Sequence, residues 1–254
     1  SDVLAVLQPI WLEKPTTAKR VKQRIGTVMK RTIAKGWRQD DPTSVISQAL
    51  PKQTQAVKHR KALPYDEVAG CLEADRASGA TTATKLALEL VVLTACRSGE
   101  VRLADWSEID LVDAEWIIPA QRMKSGKEHR VPLSDCSIGI LEAAKVLGDG
   151  TGLVFPGTKA GKPLSDMTLS KLVKELGFDV DVHGFRTSFK TWAQERTNTP
   201  RDVSEAALAH VVKDKAEAAY ARSDFFEKRR TLMERWANFC SMHVSTERQV
   251  IHLG

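Results

Sequence analysis

The chain has 254 residues, 42% of them hydrophobic and 28% charged, a balance expected of a globular protein with about one or two domains. No apolar run approaches the roughly 18 residues needed to cross a bilayer, and Cys71, Cys96, Cys136 and Cys240 show neither zinc-site pairing nor a secretory pattern, so no membrane role is indicated and a reducing cytoplasm is expected. The formal net charge of +6 is unevenly spread: residues 1–62 hold 13 Lys and Arg against 4 Asp and Glu, and the remaining residues hold 25 against 28.

A basic segment at one end is the electrostatic footprint of a nucleic-acid binder, because neutralising phosphates releases condensed counterions. It is equally what a solvated helix face looks like. The chain opens on Ser1, almost directly on a helical pattern, which reads as a fragment or a processed form of something longer.

In chain order, the spacing predicts a short helix over Asp2–Trp11 and a longer one from Pro15-Thr16-Thr17 onward. Val21, Ile25, Val28, Met29 and Ile33 lie on one face of the second helix, and Lys19, Arg20, Lys22, Arg24, Lys30 and Arg31 on the other, with Gly36 as the stop. A helix so divided packs through one stripe and offers positive charge through the other, which suits lying along DNA. From Asp41 to Leu63 the prolines Pro42 and Pro51, the polar residues and the basic run Lys58-His59-Arg60-Lys61 show little periodicity and read as a linker. Such a linker either follows a DNA backbone or is an ordinary polar connection. The expected division is a helical domain over 1–50, a basic linker over 51–62 and a larger domain over 63–254.

The larger domain is predicted to begin with a helix to about Ala77 and a second, buried one through Leu86, Leu88, Leu90, Val91, Val92 and Leu93. Trp116-Ile117-Ile118-Pro119 and His129-Arg130-Val131-Pro132-Leu133 read as strands flanking a turn at Lys124-Ser125-Gly126-Lys127. Helical patterns recur at 137–147, 166–176, 184–196, 202–210 and 213–221, followed by a long one from about Asp224 to Cys240. The fold class is mainly α with a small antiparallel β-sheet.

Taken singly, the chemical groups have plain explanations. Arg97 follows an apolar helix whose C-terminus favours a cation, His183 and Arg186 share a spacing that occurs by chance, Lys124 is a turn lysine, His210 a capping residue and Tyr220 an amphipathic helix contact. Together they supply what phosphoryl transfer to a tyrosine requires. Two guanidiniums, Arg97 and Arg186, can clamp a phosphodiester and stabilise the extra charge of a pentavalent transition state. A phenol with a pKa of about 10 needs a base or a positive field to attack at neutral pH, and His183 can serve. A mobile lysine, Lys124, can protonate a departing 5′-oxygen. No carboxylate pair near these residues offers an obvious magnesium site.

Five blocks in order carry a resemblance to the tyrosine recombinases, and within them to prophage and phage integrases: Thr94-Ala95-Cys96-Arg97-Ser98-Gly99-Glu100, Met123-Lys124, His183-Gly184-Phe185-Arg186, Leu208-Ala209-His210 and Ala219-Tyr220-Ala221-Arg222. Asp224, Glu227, Lys228, Arg229 and Arg230 are similar to the prophage branch. Ala95 and Ala209 depart from the family by standing where many members have glycine. The resemblance implies that residues 1–50 are part of a core-binding domain and 63–254 a catalytic domain. It also implies that helices and an arm-binding domain preceding residue 1 are missing from this chain.

By the same resemblance Arg97 and Arg186 bind the scissile phosphate, Lys124 is the general acid, His183 assists proton transfer at the nucleophile Tyr220, His210 donates to the phosphate and Glu100 supports the site. Lys58, Arg60 and Lys61 join the basic helix in contacting DNA. A site-specific recombinase that integrates or excises a prophage or genomic island is implied, acting on double-stranded attachment sites at the nucleoid as a homotetramer. DNA-bending and excision proteins are its implied accessories; no nucleotide cofactor is expected because the phosphotyrosyl bond conserves energy, and no metal because side-chain charge takes its place. A type IB topoisomerase and a noncatalytic DNA-binding regulator are the alternatives. The apolar stripe Phe225, Leu232, Met233, Trp236 and Phe239 is a contact either between protomers or with its own domain.

Overall fold

The computed structural model describes residues 2–53, 61–148, 152–159, 161–210 and 224–242, and the chain divides into two compact units, 1–59 and 60–254. In the first, α1 (Asp2–Trp11), α2 (Pro15–Ala34) and α3 (Pro42–Ala49) enclose a small core of Val3, Leu7, Trp11, Ala18, Ile46 and Leu50. Gly36, at φ +72°, ends α2 as expected. Its N–H bonds the Ile33 carbonyl and that of Trp37 the Thr32 carbonyl, satisfying the helix's last acceptors.

Helix α3 corrects the expected linker over Asp41–Leu63. Pro42 stands in its first turn, and the Asp41 carboxylate accepts from the Thr43 N–H at 2.9 Å and hydroxyl at 2.6 Å, so its start is well signalled. Those bonds hold the Asp41 carboxyl below its ordinary pKa. Helices α2 and α3 meet at Gly26, where a Cβ would come within 2.9 Å of Thr43 Oγ1. The Trp11 indole then donates to the Pro51 carbonyl and Gln53 to that of Trp11, which closes the unit. The apolar stripe of α2 is only partly used: Val21 and Ile25 pack on this core, and Val28 remains 58% exposed.

The second unit is built on α5 (Thr82–Thr94), with α4 (Val68–Ala77), α6 (Ser98–Arg102) and α7 (Asp135–Ala144) beside it. Residues 87–94 of α5 are all buried, because neighbours cover this helix on every side. Strands β1 (Ile109–Asp110), β2 (Glu115–Ile118) and β3 (His129–Pro132) form an antiparallel sheet in that order, with Ile118 opposite His129. β1, two residues long, was not anticipated. Helices α8 (Thr168–Glu175), α9 (Gly184–Arg196), α10 (Arg201–Ala207) and α11 (Phe226–Ser241) complete the described elements; the predicted helix over 213–221 lies outside the described residues. In α11 the apolar stripe packs on its own domain: Leu232, Met233 and Trp236 are buried. The Trp236 indole donates to the Val92 carbonyl at 2.8 Å, and its ring stacks on Phe239 and meets Trp192. No described helix is long and apolar enough to cross a membrane.

One buried charge stands out. Asp75 of α4 is 0% exposed, and neither carboxylate oxygen has a hydrogen-bond partner. The cations nearby are engaged elsewhere: Arg76 holds Glu89 and Lys85 donates to the Arg76 carbonyl. Burial, then the Glu89 charge, push the Asp75 pKa up to about 7. The unfolded chain therefore releases this proton near pH 4 and the folded chain only near pH 7, so stability falls as pH rises between them, by about 1.4 kcal/mol per unit. Asp75→Asn is expected to raise the unfolding midpoint at pH 8 and to change it little at pH 4, as measured by thermal denaturation across that range.

Candidate active site

The site begins where α5 ends. Ala95 adopts the left-handed conformation (φ 50°) and turns the chain into Arg97, which caps α6. Glu100, 5% exposed, accepts from both the backbone N–H and the guanidinium of Arg97, each at 2.7 Å. The acidic residue of the Arg97 block thus fixes the backbone and the side chain of that arginine at once.

Arg186 approaches from α9. Its helix can enter here only because residue 184 is glycine: a Cβ would lie 2.3 Å from the Lys61 carbonyl oxygen. The Arg186 guanidinium is 4% exposed and donates at 2.5 Å to the carbonyls of Ala95 and of Leu208. Leu208 precedes Ala209, another left-handed alanine (φ 46°). One buried arginine therefore joins the two tight turns at Ala95 and Ala209, the two departures noted in the sequence. An αL alanine costs roughly 1–2 kcal/mol, and these carbonyl bonds help to offset it. Two of five N–H donors are used, and Nε has no partner. Burial, then the adjacent Arg97 charge, hold the Arg186 guanidinium below its ordinary pKa. Arg97 and Arg186 act on each other as like charges, and Glu100, bonded to Arg97, is the carboxylate beside them, which leaves positive charge that an anion would neutralise.

His129 of β3 belongs to the same cluster and was not picked out from sequence. It is 8% exposed, and its ring lies against the backbone of Ala207. Its place in the strand was the available signal, since residues 129 and 131 share the buried face. Beyond it, the fully buried Arg229 of α11 donates to the Asp224 carboxylate at 2.9 Å and to the Arg130 carbonyl at 2.5 Å. The chain at residue 224 is thereby tied to the strand carrying His129.

Lys124 is exposed in the β2–β3 connection, between buried Met123 and Gly126 (φ 67°). The base of that connection is held by Arg122, which binds the Glu108 carboxylate and the Glu100 carbonyl. His183 is exposed at the N-cap of α9, one turn before Arg186. His210 follows Ala209 and lies 2.5 Å from Glu205 through Nδ1. Lys19, Arg20, Arg24, Lys30 and Arg31 are exposed along α2 and Lys22 is half-buried. Lys61 is exposed and pairs with Asp179. Tyr220, Lys58 and Arg60 lie outside the described residues. Among the described residues no group of three or more His, Cys, Asp or Glu comes together as a metal site.

Burial, then the charges of Arg229, Arg186 and Arg97, lower the His129 pKa to about 4. The unfolded chain takes up this proton near pH 6.5 and the folded chain only near pH 4, so the stability present at neutral pH is lost as pH falls between them. This slope opposes that of Asp75, and the two offset each other in the wild type. In an Asp75→Asn background, unfolding is expected to become progressively easier from pH 6.5 to 4.5. Adding His129→Gln is expected to flatten that acid limb, as read by urea titrations at each pH.

Comparison with known proteins places this geometry. The family model described as "Phage integrase family" matches residues 61–227, and that of "Phage integrase central domain" matches residues 1–49. Prophage integrase IntA of Escherichia coli (strain K12) is 34% identical over 241 residues, which cover 94% of this chain and 58% of that protein. The integrase of Enterobacteria phage P4 is 30% identical over 248 residues, 91% of this chain and 56% of that protein. The chain thus spans less than two thirds of the length of these curated relatives. A lambda integrase (75-356) dimer bound to a COC' core site superimposes with TM-score 0.62 at 21% identity, over 83% of this chain and 78% of that one. A lambda integrase tetramer bound to a Holliday junction gives TM-score 0.63 at 20% identity, over 84% and 64%. The match of the family model to residues 61–227, which hold Arg97 and Arg186 and the left-handed turns at Ala95 and Ala209, shows that the chain belongs to the phage integrase family.

Proposed function

We propose that this chain is the core-binding and catalytic portion of a site-specific recombinase that cuts and rejoins DNA through Tyr220. The observation that carries the reading is the pair formed by buried Arg186 and half-buried Arg97, whose like charges repel and which are braced from the protein side by Glu100 and two carbonyls. A phosphodiester placed against these guanidiniums relieves their repulsion, and the second negative charge gained in the pentavalent transition state is stabilised further. The Tyr220 oxygen attacks phosphorus while its proton passes toward His183, and a P–O(Tyr) bond forms as the P–O5′ bond breaks. Lys124 gives its proton to the departing 5′-oxygen. Reversal by the 5′-hydroxyl of a partner strand completes the exchange without an external energy source. His210 donates to a nonbridging oxygen and Glu100 keeps Arg97 in place.

The exposed basic face of α2, with Lys58, Arg60 and Lys61, supplies the sequence-independent grip on the backbone. Double-stranded DNA is the partner supported by the DNA-bound lambda integrases of the same fold, and their dimer and tetramer forms support assembly on DNA. A homotetramer on attachment sites at the nucleoid, with DNA-bending and excision proteins, is the fuller arrangement we propose.

The test is single-turnover cleavage of nicked attachment-site DNA from the host element's ends in EDTA, with denaturation before electrophoresis. Wild type is expected to give a DNA-linked protein band, Tyr220→Phe none, and Arg97→Ala or Arg186→Ala a rate lower by about 10²–10³ or more. Tight binding without any adduct would overturn the reading in favour of a noncatalytic regulator. Supercoil relaxation with no joining of two sites would overturn it in favour of a topoisomerase.

A further inference from the structure

His210 is held by a carboxylate that neither the chemistry above nor the sequence motifs used. Past the left-handed Ala209 the chain folds back on α10, so that the His210 N–H bonds the Glu205 carbonyl at 3.0 Å. Its ring Nδ1 comes within 2.5 Å of Glu205 Oε2. The other carboxylate oxygen receives Lys190 Nζ from α9 at 2.6 Å, with Arg201 Nε at 3.7 Å. The carboxylate is 18% exposed and the imidazole 40%, so the ring has one edge against the protein and one toward solvent. Burial pushes the Glu205 carboxyl up, but the hydrogen bonds from Lys190 and His210 together outweigh it and leave the carboxyl below its ordinary value.

A carboxylate facing Nδ1 makes that nitrogen a donor, so Nδ1 carries a proton whether the ring is neutral or charged. In the neutral ring Nε2 then has only a lone pair. It can donate to a phosphate oxygen only when the ring is an imidazolium. Resting on the recombinase reading above, we propose that Glu205 is a positioning residue that fixes the His210 ring with Nδ1 toward α10 and lets it meet the scissile phosphate as an imidazolium. A charged donor makes a shorter, stronger bond than a neutral one. Lying between two anions, the carboxylate and the phosphodiester, the ring keeps its second proton when DNA is bound. Lys190 and Arg201 are the counterweight. They share the carboxylate and limit how much negative charge the ring feels, so removing Lys190 strengthens the hold on the proton and removing the Glu205 charge weakens it.

The experiment has two arms on the full chain. Long-range proton–nitrogen spectra of the histidine rings without DNA, with His210 assigned through His210→Gln, are expected to show the neutral ring protonated at Nδ1, and Glu205→Ala to shift it toward Nε2. Single-turnover cleavage is then followed against pH. Glu205→Gln is expected to bind DNA as wild type does, to cleave about tenfold more slowly and to lose activity at lower pH as the solution is made alkaline. Lys190→Met is expected to move that loss to higher pH, an opposite displacement that unfolding cannot produce. An Nε2-protonated ring in wild type, or pH profiles unmoved by both substitutions, would overturn the proposal. Absence of any cleavage by wild type would instead overturn the recombinase reading, and the spectra would still decide the Glu205 pairing.

Discussion

A guanidinium taken out of water must be paired or it destabilises the fold by several kcal/mol, and Arg186 meets that constraint with two backbone carbonyls. Those carbonyls belong to turns separated by more than a hundred residues in sequence, one closing α5 and the other closing α10. Arg186 therefore fixes the relation of the segment that carries Arg97 to the segment that carries His210. The carbonyls compensate only part of its charge. Nε is left without a partner and Arg97 stands close by, so the site is assembled in a state that favours an anion. For the reaction proposed above, preorganisation of this kind would place stabilising charge before the reaction begins, with no reorganisation at the transition state.

The other parts of the second unit attach to this centre through the same chemistry. Arg122 links the base of the Lys124 connection to the Glu100 carbonyl, which places the hairpin beside the Arg97 cap. Arg229 repeats the logic of Arg186: a buried guanidinium holding a distant carbonyl, here that of Arg130 on β3, while gripping Asp224 just after the segment that contains Tyr220. His129 lies buried near them, and its burial, with the charges of Arg229, Arg186 and Arg97 added, disfavours its charged form. Basic residues inside the protein do the joining that apolar packing does elsewhere, and they aim their remaining charge at one place.

Much of this was legible in the sequence. The helices with strong periodicity, the hairpin and the Arg97, Glu100 and Arg186 cluster were found because periodicity and motif order point to them. Helix α3 was missed because eight residues hold few apolar positions, although Asp41 and Pro42 were readable start signals. β1 was missed because two residues carry no pattern. The burial of Asp75, Arg186 and Arg229 is not a property of local sequence at all: charged residues read as solvent-facing until tertiary neighbours enclose them. The apolar stripe of α11 left two destinations open, and Leu232, Met233 and Trp236 go into their own core. His210 was visible as a candidate, but its dependence on Glu205 needed the left-handed turn at Ala209 that brings the two together.

The central claim is that Arg97 and Arg186 act on the charge of a scissile phosphate. The direct measurement is the single-turnover cleavage rate of Arg97→Ala and wild type on DNA whose scissile phosphate is replaced by an uncharged methylphosphonate. If the guanidiniums neutralise phosphate charge, removing that charge from the substrate is predicted to restore much of the variant's rate relative to wild type. An equal deficit on both substrates would contradict the account and leave Arg97 a structural role alone.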